Sequence, residues 1–122
     1  MGGLFSAQML SVPAFQEIPG TRNRRAPLVA SSYFVVEMFE LKHSQEFETA
    51  DDSGKSSVQI LTAVEGCGVV EAPGTEPVTM AKGDAVVVPA SAGRFSVRPQ
   101  WSVEFLKSCL PGKAMPEPTV RM

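Results

Sequence analysis

The chain has 122 residues, with 11 basic and 13 acidic side chains, so its formal net charge is only −2. This charge gives no electrostatic reason to expect nucleic acid or an anionic membrane as a partner. The length allows one domain with one core, and a hydrophobic content of 43% is ordinary for a globular protein. No apolar run approaches the ~18 residues of a membrane-spanning helix, and we expect a cytoplasmic protein.

The N-terminal part of the chain shows no sustained hydrophobic period. Residues 1–27 contain Pro13, Pro19, Gly20 and a basic cluster of three arginines at positions 22, 24 and 25. Prolines and glycines interrupt regular structure. We therefore predict an extended N-terminal arm or linker over residues 1–27.

From residue 28 onward, short segments rich in β-branched and aromatic residues alternate with turn-forming residues. The predicted strands are Tyr33–Leu41, Val58–Glu65, Val69–Ala72, Val78–Met80, Ala85–Val88, Arg94–Arg98 and Trp101–Lys107. Tight turns are predicted at Gly66–Gly68 and Lys82–Asp84, and Trp101, Val103 and Phe105 are expected to share one face. Short strands with frequent turns are typical of a sandwich or closed barrel. The predicted barrel spans residues 28–111, followed by a loose tail over residues 112–122.

Three segments of the chain resemble segments of a known family. Gly83-Asp84, then Pro89 and Gly93, resemble the second cupin motif, and Ile60–Gly68 resembles the hairpin that closes the first. Together with Leu28–Glu37 they are similar to the C-terminal cupin domain of type I mannose-6-phosphate isomerases. The resemblance implies an all-β fold, a cupin-like double-stranded β-helix or jelly-roll barrel, preceded by the extended arm.

The same resemblance identifies where metal ligands are missing. Metal-binding cupins carry His-x-His, then Glu, then Gly, with a further His beyond the Pro/Gly loop. Gln59 stands at the Glu position. The two His positions fall near Ser53 and Lys55, or near Asp52 and Gly54, and the late His falls at or beside Arg94. The only histidine, His43, lies outside this pattern. Because a Zn²⁺ or Fe²⁺ site uses three or four converging ligands, we expect no metal and no other cofactor.

In the isomerase family the zinc and the catalytic residues belong to a different, more N-terminal domain. The resemblance therefore implies a non-catalytic accessory domain, without its own metal site, that packs against a catalytic isomerase domain or against its own copy as a homodimer. No catalytic residue is predicted, and whether the chain is an enzyme stays open.

Two alternatives to the accessory domain follow from the residues. One is a stand-alone, metal-free cupin that binds a small anion or a sugar phosphate through Lys55, Gln59, Arg94 and His43, because lysine and arginine both suit phosphate. The other is a dimerisation module that uses residues 1–27 as its arm.

Overall fold

Nine antiparallel β-strands form the fold in the part of the chain that the computed structural model describes, which is residues 8–9, 14–30, 33–50 and 54–109. The strands are β1 (Gln8–Met9), β2 (Gln16–Glu17), β3 (Arg24–Ala30), β4 (Val35–Leu41), β5 (Gln45–Glu48), β6 (Gln59–Glu71), β7 (Val78–Ala81), β8 (Ala85–Val88) and β9 (Arg94–Cys109). One 3₁₀ turn, Ala90–Ala92, precedes β9. The all-β fold class predicted from the sequence is confirmed.

Two long strands, β6 and β9, pair with each other along most of their length and build two layers of sheet. The C-terminal half of β9 pairs with β4, and the N-terminal half of β6 pairs with β8, so the first layer has the order β3-β4-β9-β6-β8. The other halves of β9 and β6 pair with β5 and β7, which gives the second layer, β5-β9-β6-β7. β1 and β2 pair with the outer edge of β3.

The tight turn predicted at Gly66–Gly68 is wrong, because β6 runs through these residues without interruption. Gly66 has a φ of +76°, and the register against β9 shifts on both sides of it. Such bulges bend a strand without ending it. The glycines at positions 66 and 68 therefore let one strand pass from the first layer to the second.

The strand β9 bends at the matching position, which explains a second difference from the sequence prediction. Gly66 lies opposite Val103 and Gly68 opposite Pro99, so three residues of β9 face the single residue Cys67 of β6. Trp101 belongs to this bulge, has a φ of +82° and is 91% exposed. Odd-numbered residues of β9 point inward on both sides of the bulge, as Val97 and Val103 show, but within the bulge the alternation is interrupted, so Trp101 does not share the buried face of Val103 and Phe105.

A single hydrophobic core lies between the layers and is filled by inward residues of β4, β6, β7, β8 and β9. It comprises Phe39, Leu41, Leu61, Ala63, Val70, Met80, Val88, Phe95, Val97, Val103 and Phe105. The rings of Phe39 and Phe105 stack with centroids 5.5 Å apart, and those of Phe47 and Phe95 stack at 5.3 Å. β3 begins at Arg24, so residues 24–27 of the segment expected to be an arm belong to the sheet. Residues 112–122 lie outside the described part of the chain.

Candidate functional site: a cavity at the barrel mouth

Charged and polar side chains occupy inward positions at one end of the first layer. Strand alternation points Phe39 and Phe105 into the core. Two residues away on the same strands stand Glu37 on β4 and Lys107 on β9, which lie directly opposite each other in the ladder. Gln59 takes the corresponding place at the start of β6 and is only 3% exposed. The core thus ends in a polar cluster formed by these three residues.

Lys107 is the centre of this polar cluster. The residue is 9% exposed, and its Nζ donates a hydrogen bond to Oε1 of Gln59 at 3.0 Å. Oε1 of Glu37 lies 3.8 Å from Nζ, and the ring centroids of Phe39 and Phe47 each lie 5.9 Å away. A buried ammonium needs hydrogen-bond acceptors or an opposite charge, since isolated burial is costly. Its contacts hold Lys107 in the barrel interior.

The partners of Lys107 are themselves held in place. Oε2 of Glu37 accepts a hydrogen bond from the Arg25 guanidinium at 2.9 Å, and the Glu37 side chain is 17% exposed. The amide nitrogen of Gln59 donates to the backbone oxygen of Ser57 at 3.3 Å, which fixes the orientation of the amide. Strands β3, β4, β6 and β9 therefore each supply one polar side chain to a connected network.

The polar network forms one wall of a cavity of about 560 Å³. This volume lies within the usual range of small-molecule sites, roughly 300–1,000 Å³. Its lining combines charges, amides and apolar groups: Gln16, Glu17, Ile18, Pro19, Arg25, Glu37, Phe39, Gln45, Phe47 and Lys107. Such a site suits a small molecule with both polar and apolar surface.

The structure does not bring together the four residues predicted from the sequence to bind a ligand. Gln59 lies in the interior beside Lys107, whereas Lys55 is exposed in the loop before β6. Arg94 is exposed beside Glu46 and Glu71 in a separate depression of about 190 Å³. His43 is exposed and lines a different open hollow with Arg22, and its backbone N–H donates to Asn23. A ligand role for Lys55, Arg94 and His43 stays a prediction.

Sequence reasoning missed Lys107, Glu37 and Arg25. A usable signal was present, because Lys107 continues the inward series of Val103 and Phe105, where a charged residue needs a partner. Glu37 is likewise one of two charged residues in the mostly apolar strand β4. The partners on other strands were not derivable, since they depend on the ladder register.

A family model for the mannose-6-phosphate isomerase cupin domain matches residues 25–108, which is most of the chain. The chain belongs to this family. No curated protein sequence matches this isomerase-type cupin domain significantly.

Solved structures share the fold of this isomerase-type cupin domain at low sequence identity. A putative ethanolamine utilization protein Q from Salmonella typhimurium is 17% identical with a TM-score of 0.67, covering 91% of this chain and all of the other. KdgF from Halomonas sp. is 16% identical with a TM-score of 0.65, covering 82% and 87% of the two chains. An RmlC-like cupin from Desulfovibrio desulfuricans is 19% identical with a TM-score of 0.62, covering 85% and 98%.

The inward residues of this cupin domain do not fit a metal ion. Among the described residues, Gln59 stands where the cupin pattern requires a Glu ligand, and its amide oxygen accepts a hydrogen bond from the ammonium of Lys107. A divalent cation at this oxygen would meet that positive charge. Across the described ranges, no three His, Cys, Asp or Glu side chains are grouped so that they could hold a metal. Over the same ranges, no helix has the length and apolar character needed to cross a bilayer.

Proposed function

We propose that this domain is a metal-free binding module that takes a small hydroxylated molecule with an anionic group, of the sugar-phosphate class, into the barrel-mouth cavity. The observation that carries the proposal is the buried ammonium of Lys107 in the wall of a cavity of about 560 Å³. An internal cation can bind ligand oxygens without a metal ion. The domain would bind its ligand as an accessory module, with no catalytic residue assigned.

The other groups of the cavity support this class of ligand. Arg25, whose side chain is 52% exposed, stands at the rim and offers the planar donor set that suits phosphate. Phe39 and Phe47 supply an apolar wall for the carbon skeleton. The amides of Gln16 and Gln45 add donors and acceptors that suit hydroxyl groups.

The test is a calorimetric titration of the full chain with mannose 6-phosphate and with fructose 6-phosphate, in buffer containing EDTA. We expect saturable binding that Lys107→Met weakens by about 10-fold or more, because a hydrogen bond to a charged group contributes ~1.5–3 kcal/mol. The matched control is Lys82→Met, because Lys82 is an exposed lysine paired with Glu65 outside the cavity.

Thermal unfolding of each variant verifies that it is folded before the titrations are compared. Binding that persists unchanged in Lys107→Met, or that requires added zinc, would contradict the proposal. Equal weakening by Lys107→Met and Lys82→Met would also contradict it, because the effect would then come from overall charge.

A second candidate function, association with another copy of this chain, is favoured by the outer face of the first layer. Most outward residues of β4, β6, β8 and β9 are uncharged, namely Val36, Met38, Ile60, Thr62, Ala85, Val87, Leu106 and Ser108, whereas the outward pair Glu40 and Glu104 is charged. Val87 is 61% exposed and Ile60 39% exposed, and the two lie directly opposite each other. Two copies can approach through the uncharged part of this face without opposing like charges.

Light scattering coupled to size exclusion tests the association. We expect a dimer that Val87→Glu and Ile60→Glu dissociate, while Thr79→Glu, an exposed control on β7, leaves it intact. A wild-type chain that stays monomeric at high concentration would refute self-association. Such a monomer, if it bound a purified mannose-6-phosphate isomerase catalytic domain, would instead support the accessory role.

A further inference from the structure

The ammonium of Lys107 has an incomplete set of acceptors. An ammonium carries three N–H donors, and Nζ has one oxygen acceptor within hydrogen-bond distance, Oε1 of Gln59 at 3.0 Å. A second donor points to the sulfur of Cys109 at 4.0 Å, which is a long and weak contact. Oε1 of Glu37, at 3.8 Å, is beyond hydrogen-bond reach. One donor of a nine-tenths buried cation is thus left without an acceptor among the described residues.

The carboxylate of Glu37 shows the complementary deficit. Its Oε2 accepts from Arg25 at 2.9 Å, while Oε1 has Lys107 Nζ only at 3.8 Å. A donor and an acceptor therefore face each other across a gap that is too wide for a direct hydrogen bond. A single oxygen placed beside that gap would lie about 2.8 Å from both atoms, the ordinary length of such bonds.

We infer that this gap is a hydroxyl subsite, in which one hydroxyl of the ligand accepts from Nζ of Lys107 and donates to Oε1 of Glu37. The inference rests on the proposed binding function and assigns the ligand an orientation. Its hydroxylated end enters the cavity, and its anionic group stays at the rim beside Arg25.

The two charges at the subsite select a hydroxyl over other polar groups. A hydroxyl both donates and accepts, so it satisfies Lys107 and Glu37 together. A carboxylate only accepts, so it would meet the negative charge of Glu37 without a proton to offer. An ammonium only donates, so it would meet the positive charge of Lys107. A ligand that has only a hydrogen atom at this position leaves Lys107 and Glu37 without this hydrogen bond.

The exposed guanidinium of Arg25 explains why the anionic group of the ligand lies at the rim. The Arg25 guanidinium uses one contact on Glu37 and is 52% exposed, so it has further donors directed to solvent. A phosphate at the rim keeps part of its hydration while it binds these donors. The cavity therefore distinguishes the two ends of its ligand.

A matched series of three phosphates tests the subsite on the full chain: glycerol 3-phosphate, 3-phosphoglycerate and n-propyl phosphate. Glycerol 3-phosphate carries a hydroxymethyl group where 3-phosphoglycerate carries a carboxylate, and n-propyl phosphate has no hydroxyl group. We expect glycerol 3-phosphate to bind at least about 10-fold more tightly than either of the others, the factor expected when a buried charged group gains or loses one hydrogen bond. Amide chemical-shift mapping should place all three in the cavity.

The variant Glu37→Gln provides a second test of the subsite, because the substituted amide can donate a hydrogen bond to the carboxylate of 3-phosphoglycerate. We expect the preference of glycerol 3-phosphate over 3-phosphoglycerate to fall several-fold in this variant and to stay unchanged in the control Lys82→Met. The wild-type series does not depend on the folding of any variant.

The outcomes separate this inference from the proposed function. If the three phosphates bind in the cavity with equal affinity, or if 3-phosphoglycerate binds best, the hydroxyl subsite is refuted while the binding function stands. If none of the three and neither hexose phosphate shifts the cavity resonances, both are refuted.

Discussion

Replacing Gly66 with alanine should be among the most damaging single-methyl changes in this protein. Gly66 is the position at which β6 bends between the two layers, and its φ of +76° lies in the left-handed region. A Cβ atom added there would lie closer than 3.0 Å to the carbonyl oxygen of Ser102 and 3.3 Å from Cα of Val103. Both neighbours are main-chain atoms of β9, so no side chain can rotate away.

Two costs add at this site. The left-handed conformation costs a non-glycine residue about 1–2 kcal/mol. Relieving the overlap requires β9 to move away from β6, and forced displacement of packed structure typically costs about 1–3 kcal/mol. The sum of about 2–5 kcal/mol corresponds to a fall in melting temperature of roughly 10–20 °C for a domain of this size.

Urea unfolding followed by circular dichroism measures the loss, with Gly74→Ala as the matched control. Gly74 has a φ of +78°, but a Cβ there meets no atom within 4 Å. The control therefore isolates the backbone cost of about 1–2 kcal/mol. Equal destabilisation by the two substitutions would refute the close approach of β6 and β9 at Gly66.

Further predictions concern the buried amide of Asn23 and the partly buried carboxyl of Glu104. Asn23 is fully buried, accepts hydrogen bonds from the backbone N–H groups of Lys42 and His43 at 2.8 and 3.0 Å, and donates to Oε1 of Gln45 at 3.0 Å. Asn23→Ala should therefore cost about 2–4 kcal/mol in denaturant unfolding. Asn23→Asp should also destabilise the fold, because the buried carboxylate would face the Gln45 oxygen. Partial burial, and next the hydrogen bond and charge of Glu40, raise the pKa of Glu104 above its ordinary 4.5. A raised pKa means that the folded state binds the proton more tightly, so stability is lost as the pH rises through that pKa. Glu104→Gln should therefore melt higher than wild type at neutral pH, with the gain vanishing below pH 4.5; a gain that persists in acid would contradict the assignment.

Much of the fold was predictable because its signals are local. The turn at Lys82–Asp84 and the strand Ala85–Val88 follow from residue types that favour those conformations. Gly66–Gly68 misled the same reasoning, since two glycines around one residue usually indicate a turn. Only the partner strand shows that they serve a bend within β6.

The site was less predictable because it depends on contacts between distant residues. Gln59 was identified through the cupin pattern and does lie inside the barrel. Lys107 is 48 residues away along the chain, and its hydrogen bond to Gln59 follows only from the β6–β9 register. A search guided by metal-ligand positions directs attention to Lys55 and Arg94, which are exposed in the loop before β6 and at the start of β9.

Strict alternation along β4 and β9 has a thermodynamic consequence. Glu37 and Lys107 point into the cavity, while their chain neighbours Val36, Leu106 and Ser108 point to the opposite side of the same sheet. The proposed ligand site and the proposed self-association surface are thus one peptide unit apart. If ligand binding changes the free energy of self-association, self-association must change the free energy of ligand binding by the same amount and with the same sign. For this barrel, the ligand affinity and the self-association constant should therefore be measured together.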